Sequence, residues 1–312
     1  MKIVFFGSGS FAIPALKYLI DSELVELAAV VTQPDRKSGR GLVLKSTEVK
    51  DCVESAGFKG LLFQSGDVGD PGFIKKISEL KPDLFVVSCF GQILNKELLE
   101  VPEIMAVNIH ASLLPKYRGA APVNWAAMNG EEITGVTIFK MNEKLDAGEI
   151  ISRKDCAIKP DDNSVVLEKR LADIGRELLE NFLEAAANKE YSLSPQAGEA
   201  SYAPKLKKQD GLIDWNLDAG TILNKVRGLQ PWPNAYTYID SKLFKIYRAE
   251  VIDCEGGVPA EIIETAKDNI KVKCGGNTVL RVFEVQIEGR RKMTVKEFLS
   301  GHKVNAGVKL GT

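Results

Sequence analysis

Only two histidines, His110 and His302, occur in the 312 residues, and the five cysteines (Cys52, Cys89, Cys156, Cys254 and Cys274) form no Cys-x-x-Cys pair. Zinc sites need closely spaced Cys and His, and disulfide frameworks need dense cysteines, so this scatter argues against both. The thiols read as reduced and mostly packed. Long apolar runs are absent too. The opening Met1-Lys2-Ile3-Val4-Phe5-Phe6 stops at Gly7, short of the roughly 7 to 15 residues of a signal-peptide core. Nothing approaches the roughly 20 apolar residues of a membrane span, and a cytoplasmic protein is expected. A one-signed charge is missing as well: the net charge is −1, so no whole-molecule field advertises a polyanion partner. From Lys208 onward there are 16 basic against 13 acidic residues, a net +3, against −4 for residues 1–207.

With 45% hydrophobic and 27% charged residues, the chain can build a full core. Its length predicts two domains, since single cores rarely grow beyond about 250 residues. Lys2–Phe6, Leu27–Thr32, Asp83–Cys89, Ala106–His110 and Val136–Met141 read as strands, with helices at Phe11–Ile20 and Phe73–Leu80 between them. This alternation predicts a doubly wound, mostly parallel α/β sheet over residues 1–190. The amphipathic stretch Asn163–Lys189, with Val166, Leu167, Leu171, Ile174, Leu178, Leu179, Phe182 and Leu183 on one face, closes that domain. Residues 191–209 lack periodicity, carry Pro195 and Pro204, and read as a linker. Residues 210–312 turn β-rich: Ala235–Ile239, Leu243–Val251, Ile270–Cys274 and Val279–Ile287, with helices at Ala219–Val226 and near Val295–Leu299. A small OB-like β-barrel is expected there.

Gly7-Ser8-Gly9-Ser10-Phe11-Ala12 follows a strand and opens a helix, matching the Gly-x-Gly-x-x-Ala form of a dinucleotide site. Such a site wants an acidic residue at the end of the second strand. Here that strand ends Val31-Thr32-Gln33-Pro34, with Asp35 beyond the proline, so a plain tight turn is the better reading.

The denser signal is Asn108-Ile109-His110 followed by Ala111-Ser112-Leu113-Leu114-Pro115. On a strand the side-chain period is two, so Asn108 and His110 share a face, about 7 Å apart, and Ile109 faces away. Pro115 ends the segment, which places the pair at the carboxyl end of a strand, where open α/β sheets bind ligands. A histidine on a strand is often a structural residue. The polar loop Lys116-Tyr117-Arg118-Gly119-Ala120-Ala121-Pro122 beyond it is more than core packing requires. Asp146, in Leu145-Asp146-Ala147-Gly148, follows another strand and can reach the same sheet edge; capping a turn is an equal alternative for it.

Together, Asn108-x-His110, Ser112-Leu113-Leu114-Pro115, Tyr117-Arg118-Gly119 and Leu145-Asp146-Ala147-Gly148 resemble the folate-dependent formyltransferases. The resemblance implies a formyltransferase-type Rossmann-like fold and a catalytic trio of Asn108, His110 and Asp146. It also implies 10-formyltetrahydrofolate as donor, without a metal, held by Phe90, Gly91, Gln92, Ile93 and Leu94 and by Ser112, Leu113, Leu114 and Pro115. The chemistry suits these residue types. When an amine attacks a formyl carbonyl, charge gathers on oxygen, which an amide such as Asn108 and a donating His110 can hydrogen-bond. An imidazole with an ordinary pKa near 6.5 can relay the proton, and a carboxylate can orient it.

Gln33–Lys45 carries four cations, Arg36, Lys37, Arg40 and Lys45, among glycines. As a bare charge run this is a solvated loop; beside an active edge it could grip a phosphate backbone. Gln33-Pro34-Asp35, Gly39-Arg40-Gly41, Asp214-Trp215 and Arg227-Gly228-Leu229-Gln230-Pro231-Trp232-Pro233-Asn234-Ala235 extend the resemblance to the branch of the family that formylates a charged tRNA. That likeness implies methionyl initiator tRNA as acceptor, contacted by those four cations and by Lys207 and Lys208, and a monomeric enzyme. Leu42-Val43-Leu44 departs from the branch, where a more cationic, proline-containing stretch is expected. Sugar-nucleotide N-formyltransferases share the trio but lack the long basic loop. Glycinamide ribonucleotide formyltransferases are typically single domains. A non-catalytic folate- or RNA-binding protein would have no need of all three trio residues.

Overall fold

The computed structural model describes residues 1–38, 43–253 and 257–311. The chain divides into two compact units. The first comprises Met1–Pro122, Ile133–Ala157 and Glu168–Pro204; the second comprises Val123–Glu132, Ile158–Leu167 and Lys205–Thr312.

The elements run β1 (Lys2–Gly7), α1 (Ile13–Asp21), β2 (Glu26–Thr32), β3 (Arg36–Ser38), β4 (Val43–Lys45), α2 (Glu48–Ser55), β5 (Leu61–Gln64), α3 (Pro71–Ser78) and β6 (Leu84–Ser88). There follow α4 (Lys96–Leu99), β7 (Met105–His110), β8 (Arg118–Gly119), α5 (Pro122–Met128), β9 (Ile133–Lys140), β10 (Ile150–Ala157), α6 (Ser164–Ala187) and β11 (Tyr202–Ala203). The remainder is α7 (Ala219–Gly228), β12 (Ala235–Ile239), β13 (Lys242–Asp253), β14 (Ile262–Thr265), β15 (Ile270–Lys273), β16 (Thr278–Ile287), β17 (Met293–Thr294) and α8 (Val295–Gly301).

The first unit is built on a seven-stranded sheet of order β10-β9-β7-β6-β1-β2-β5. Its strands from β7 to β5 are parallel, and β9 and β10 add an antiparallel border. The expected doubly wound, mostly parallel sheet is what forms. Strand β6 is buried at every position and β1 at all but Lys2. A parallel strand covered on both faces has no solvent side, hence its continuous apolar run. From β1 the chain steps outward through β2 to β5, then crosses back to enter as β6 on the other side of β1. The strand order reverses between β1 and β6, the kind of switch point at whose carboxyl ends open α/β sheets take their ligands. Helices α2, α3 and α4 start at Thr47, Asp70 and Asn95, whose side chains accept backbone N–H groups of the first turn.

Helix α6 buries Leu171, Leu178, Leu179, Phe182 and Leu183, whereas Val166 is exposed, so the apolar stripe is narrower than its sequence suggests. At Gly175 an added Cβ would lie 2.8 Å from Ile109 Cγ2. The glycine lets α6 rest directly on β7, on the face Ile109 occupies and opposite to Asn108 and His110.

The second unit is an antiparallel sheet of order β12-β13-β16-β15-β14, with β17 paired to β16. Phe244, Ile246, Ile270, Val272, Leu280, Val282, Val285 and Phe298 fill its core. Its two edge strands are joined through the chain's tail. Ile262 and Leu310 donate to the carbonyls of Val308 and Ala260, beside β14, and Gly311 donates to that of Tyr238 on β12. Exposed edges are otherwise ready to pair with foreign strands. Of the four described cysteines, all free, Cys274 is buried, Cys52 and Cys156 are half-buried and Cys89 is exposed. Burial pushes the Cys274 thiol up to about 11. Among the described residues no helix is long and apolar enough to cross a membrane.

Leu310, 3% exposed, anchors that tail. Leu310→Ala is expected to cost about 2–5 kcal/mol in denaturant unfolding and to speed hydrogen exchange at the Ile262 amide before the β16 amides. Unchanged exchange at Ile262 would show that the tail does not protect the edge.

Candidate active site

Strand β7 delivers Asn108 and His110 to one face at its carboxyl end, opposite Phe139 and Thr137 of β9. Asn108 is half-buried, and its side-chain amide makes no hydrogen bond to any described residue. His110 is 5% exposed. Its Nε2 lies 2.9 Å from the carbonyl oxygen of Tyr117. A carbonyl only accepts, so Nε2 carries the hydrogen and, in the neutral ring, Nδ1 is the open nitrogen. Nδ1 faces Asp146 Oδ2 at 3.8 Å, beyond hydrogen-bond range. Asp146 instead accepts the Gly119 N–H at 2.7 Å through the same oxygen. The carboxylate is thus tied to a loop amide and stands just off the imidazole. The structure brings all three residues of the trio to one sheet edge within the first unit.

The loop after β7 is held from several sides. Thr137 Oγ1 donates to the Ser112 carbonyl at 2.7 Å and accepts the Leu114 N–H at 3.1 Å. Ser112 Oγ donates to the Lys116 carbonyl at 2.6 Å. Ser112, Leu114 and Pro115 are buried and Leu113 is half-buried. Tyr117 and Asp146 both adopt left-handed backbone, with φ of 59° and 47°, which L-residues enter at a cost of roughly 1–2 kcal/mol. Gly119, at φ 123°, would bring a Cβ within 2.6 Å of the Ala203 oxygen. Only glycine fits there.

Phe90 to Leu94 follows the carboxyl end of β6. Phe90 and Leu94 are core residues. Gln92 accepts the Val68 N–H and donates to the Ser65 carbonyl. Gln33 Nε2 donates to the Phe90 carbonyl at 2.9 Å. A ligand at this segment would meet the backbone around Gly91 and the exposed Ile93 side chain, 78% accessible. At the neighbouring glycine-rich turn, the Ser8 and Gly9 amides both donate to the Cys89 carbonyl. Those two amides are engaged within the fold and are not free to cradle a pyrophosphate.

Strands β3 and β4 pair antiparallel, with Arg36 directly across from Lys45 and Lys37 across from Leu44. Arg36, Lys37 and Lys45 are exposed. Like charges facing one another on a sheet repel, and an anion between them would relieve the repulsion. Just before β3, Asp35 is gripped by Lys50 at 2.7 Å and Gln64 at 2.6 Å, bonds that hold its carboxyl below the usual range. Arg40 lies outside the described residues. Lys207 and Lys208, exposed, belong to the second unit. Burial and then the Lys208 charge push the Lys245 ammonium down. Among the described residues no group of His, Cys, Asp and Glu could hold a metal ion.

Three residues at this edge escape a reading of the sequence: Thr137, Ser201 and Gln196. Thr137 carried a signal, a polar residue midway along an apolar strand. The others lie in stretches without periodicity.

Residues 1–183 match the formyl transferase family, and residues 205–303 match the formyl transferase C-terminal domain. The chain is 44% identical over 310 residues to the methionyl-tRNA formyltransferase of Caldanaerobacter subterraneus subsp. tengcongensis, covering 98% of this chain and 99% of the relative. It is 43% identical to the methionyl-tRNA formyltransferase of Thermodesulfovibrio yellowstonii, covering 98% and 97%. Among solved structures, the sugar 3N-formyl transferase WlaRD, crystallised with dTDP and 5-N-formyl-THF, superimposes with a TM-score of 0.66 at 17% identity, over 93% of this chain and 99% of that one. HypX from Aquifex aeolicus, in complex with tetrahydrofolic acid, gives 0.63 at 18% identity over 99% and 50%. At such identities these two likenesses concern the fold.

Gly57, at φ 62° with open space around it, provides a control for Gly119. Gly57→Ala is expected to cost about 1–2 kcal/mol from backbone strain, and Gly119→Ala about 1–3 kcal/mol more from the clash with Ala203. Equal losses in urea unfolding would show that the close approach carries no weight.

Proposed function

Because this chain belongs to the family of methionyl-tRNA formyltransferases, which take their formyl group from a folate donor, we propose that Asn108, His110 and Asp146 transfer that group from 10-formyltetrahydrofolate to the α-amine of methionyl initiator tRNA, in the cytoplasm. The observation that carries the assignment is the unpartnered Asn108 amide on the same strand face as a buried histidine whose open nitrogen looks at a carboxylate.

The amine is the nucleophile, so no covalent enzyme intermediate is needed. Asn108 donates an N–H to the formyl oxygen, where negative charge gathers as the new C–N bond forms; the amide is neutral at every pH and already in place. His110 Nδ1 takes the proton that the attacking amine loses. The imidazolium so formed faces Asp146, whose charge favours it. His110 then gives the proton to the departing folate nitrogen as the old C–N bond breaks. The Asp146 carboxylate is held in place by the Gly119 N–H. The backbone around Gly91 and the Ile93 side chain supply an edge for the folate ring, beside the Ser112–Pro115 turn. Arg36, Lys37 and Lys45 supply exposed positive charge for the acceptor strand, with Arg40 between them in sequence and Lys207 and Lys208 in the second unit.

His110→Ala or Asp146→Ala is expected to lower kcat at least about a hundredfold, and Asn108→Ala about a hundred- to a thousandfold, with unfolding midpoints near the parent's. Near-normal turnover in the His110 variant would sink the acid–base assignment. Offered 10-formyltetrahydrofolate with either methionyl initiator tRNA or an amino-sugar nucleotide, the enzyme should formylate the tRNA; product on the sugar alone would overturn the choice of acceptor. The double variant Arg36→Ala/Lys45→Ala should raise KM for tRNA, flatten its salt dependence and leave KM for folate unchanged. An unaltered salt slope would return these strands to solvent.

A further inference from the structure

Resting on that reading, we infer that Gln196 is a positioning residue that sets Asp146 against His110, and that the non-periodic segment 194–203 is a strap holding both arms of the active site. Ser194 exchanges two backbone hydrogen bonds with Ile150, at 2.7 and 2.9 Å, which moors the segment beside β10. Gln196 Nε2 then donates to the carbonyls of Asp146 and Gly148, both at 2.9 Å. Its Oε1 accepts from Arg118 Nη2 at 2.6 Å and Nε at 3.2 Å. Further along, Ser201 Oγ accepts the Tyr117 N–H and the Ser201 carbonyl accepts the Arg118 N–H, each at 2.9 Å. The Ala203 carbonyl accepts from Ala120 and Ala121. One stretch of chain therefore bonds the loop that gives His110 its acceptor and the loop that carries Asp146.

The Gln196 side chain does this with a neutral amide. Its amide offers two N–H groups for two carbonyls and an oxygen for a guanidinium, and both ends are used. Asp146 sits on a loop with a left-handed φ of 47°, and from that backbone its carboxylate meets the Gly119 N–H and faces His110. Arg118, adjacent to Gly119, is tied through the same Gln196 oxygen. Losing the clamp would let the carboxylate drift from a ring that it does not directly hydrogen-bond.

A double-mutant cycle tests this, because a residue acting through Asp146 has nothing left to act on once that carboxylate is gone. Gln196→Ala is expected to lower kcat by about ten- to a hundredfold, the scale of an ångström's misplacement, with KM for folate and tRNA within about twofold of the parent. Gln196→Glu keeps the size and the acceptor for Arg118 but loses the N–H donors; it should lose as much, and it serves if the alanine variant does not fold. In the Asp146→Ala background, measured by single turnover with excess enzyme, either change should cost less than about twofold. A loss as large as in the parent background would mean that Gln196 merely stabilises the fold, and would overturn the inference alone. Parent-like kcat in both single variants would overturn it too. Full activity of Asp146→Ala would overturn the catalytic reading and this inference with it.

Discussion

A hydrogen bond of 2.9 Å from His110 Nε2 to the Tyr117 carbonyl decides which ring nitrogen is left to accept a proton. With Nε2 committed as donor, the proposed base is Nδ1, which faces the Asp146 carboxylate at 3.8 Å. The bond exists because Tyr117 turns its carbonyl inward from a left-handed backbone. That conformation is upheld by Ser201 below it and by the Ser112–Lys116 turn before it. The tautomer of one histidine thus depends on a chain of backbone geometry reaching far along the sequence. Partners that fix a ring's tautomer in this way are what turn a histidine into a directed base.

The three proposed catalytic groups are held with different stiffness. Asn108 and His110 sit on β7, a central strand pinned between β6 and β9 and backed by α6 through Gly175. Asp146 sits on a loop, where geometry must be bought with hydrogen bonds rather than inherited from a sheet. The Gly119 amide and the Gln196 clamp supply them. The proposed base and oxyanion donor thus sit on a sheet edge, and the proposed counter-charge on a braced loop. The ring takes its address from the sheet, while the carboxylate owes its 3.8 Å separation from the ring to those loop bonds.

The backbone amides at this edge are divided with equal economy. Those of Ser8 and Gly9 are spent on the Cys89 carbonyl, so a glycine-rich turn that resembles a phosphate cradle serves instead to join β1 to β6. Arg36 and Lys45 face each other across β3 and β4, and Asp35 nearby is bonded to Lys50 and Gln64. Facing cations on an exposed two-stranded sheet stand apart in a protein whose net charge is −1.

The sequence by itself determined the parallel core, the long helix α6 and the Asn108–His110 pair, because these rest on periodicity: buried parallel strands are continuous apolar runs, and alternate residues of a strand share a face. It also announced the chemistry through short motifs close together in the chain. Strands β5, β10 and β14 were not legible, being short or polar edge strands, half-exposed and without a clean alternation. Nor was the tail that joins the edges of the second sheet. Residues 194–203 read as a linker since their bonds are made by backbone groups and by single polar side chains to partners about 50 to 80 residues away, contacts that leave no period. Only the tertiary structure could turn that segment into a strap, choose the histidine's tautomer, and set Asp146 at a distance from His110 rather than in contact, because each depends on where distant backbone carbonyls and amides finally meet.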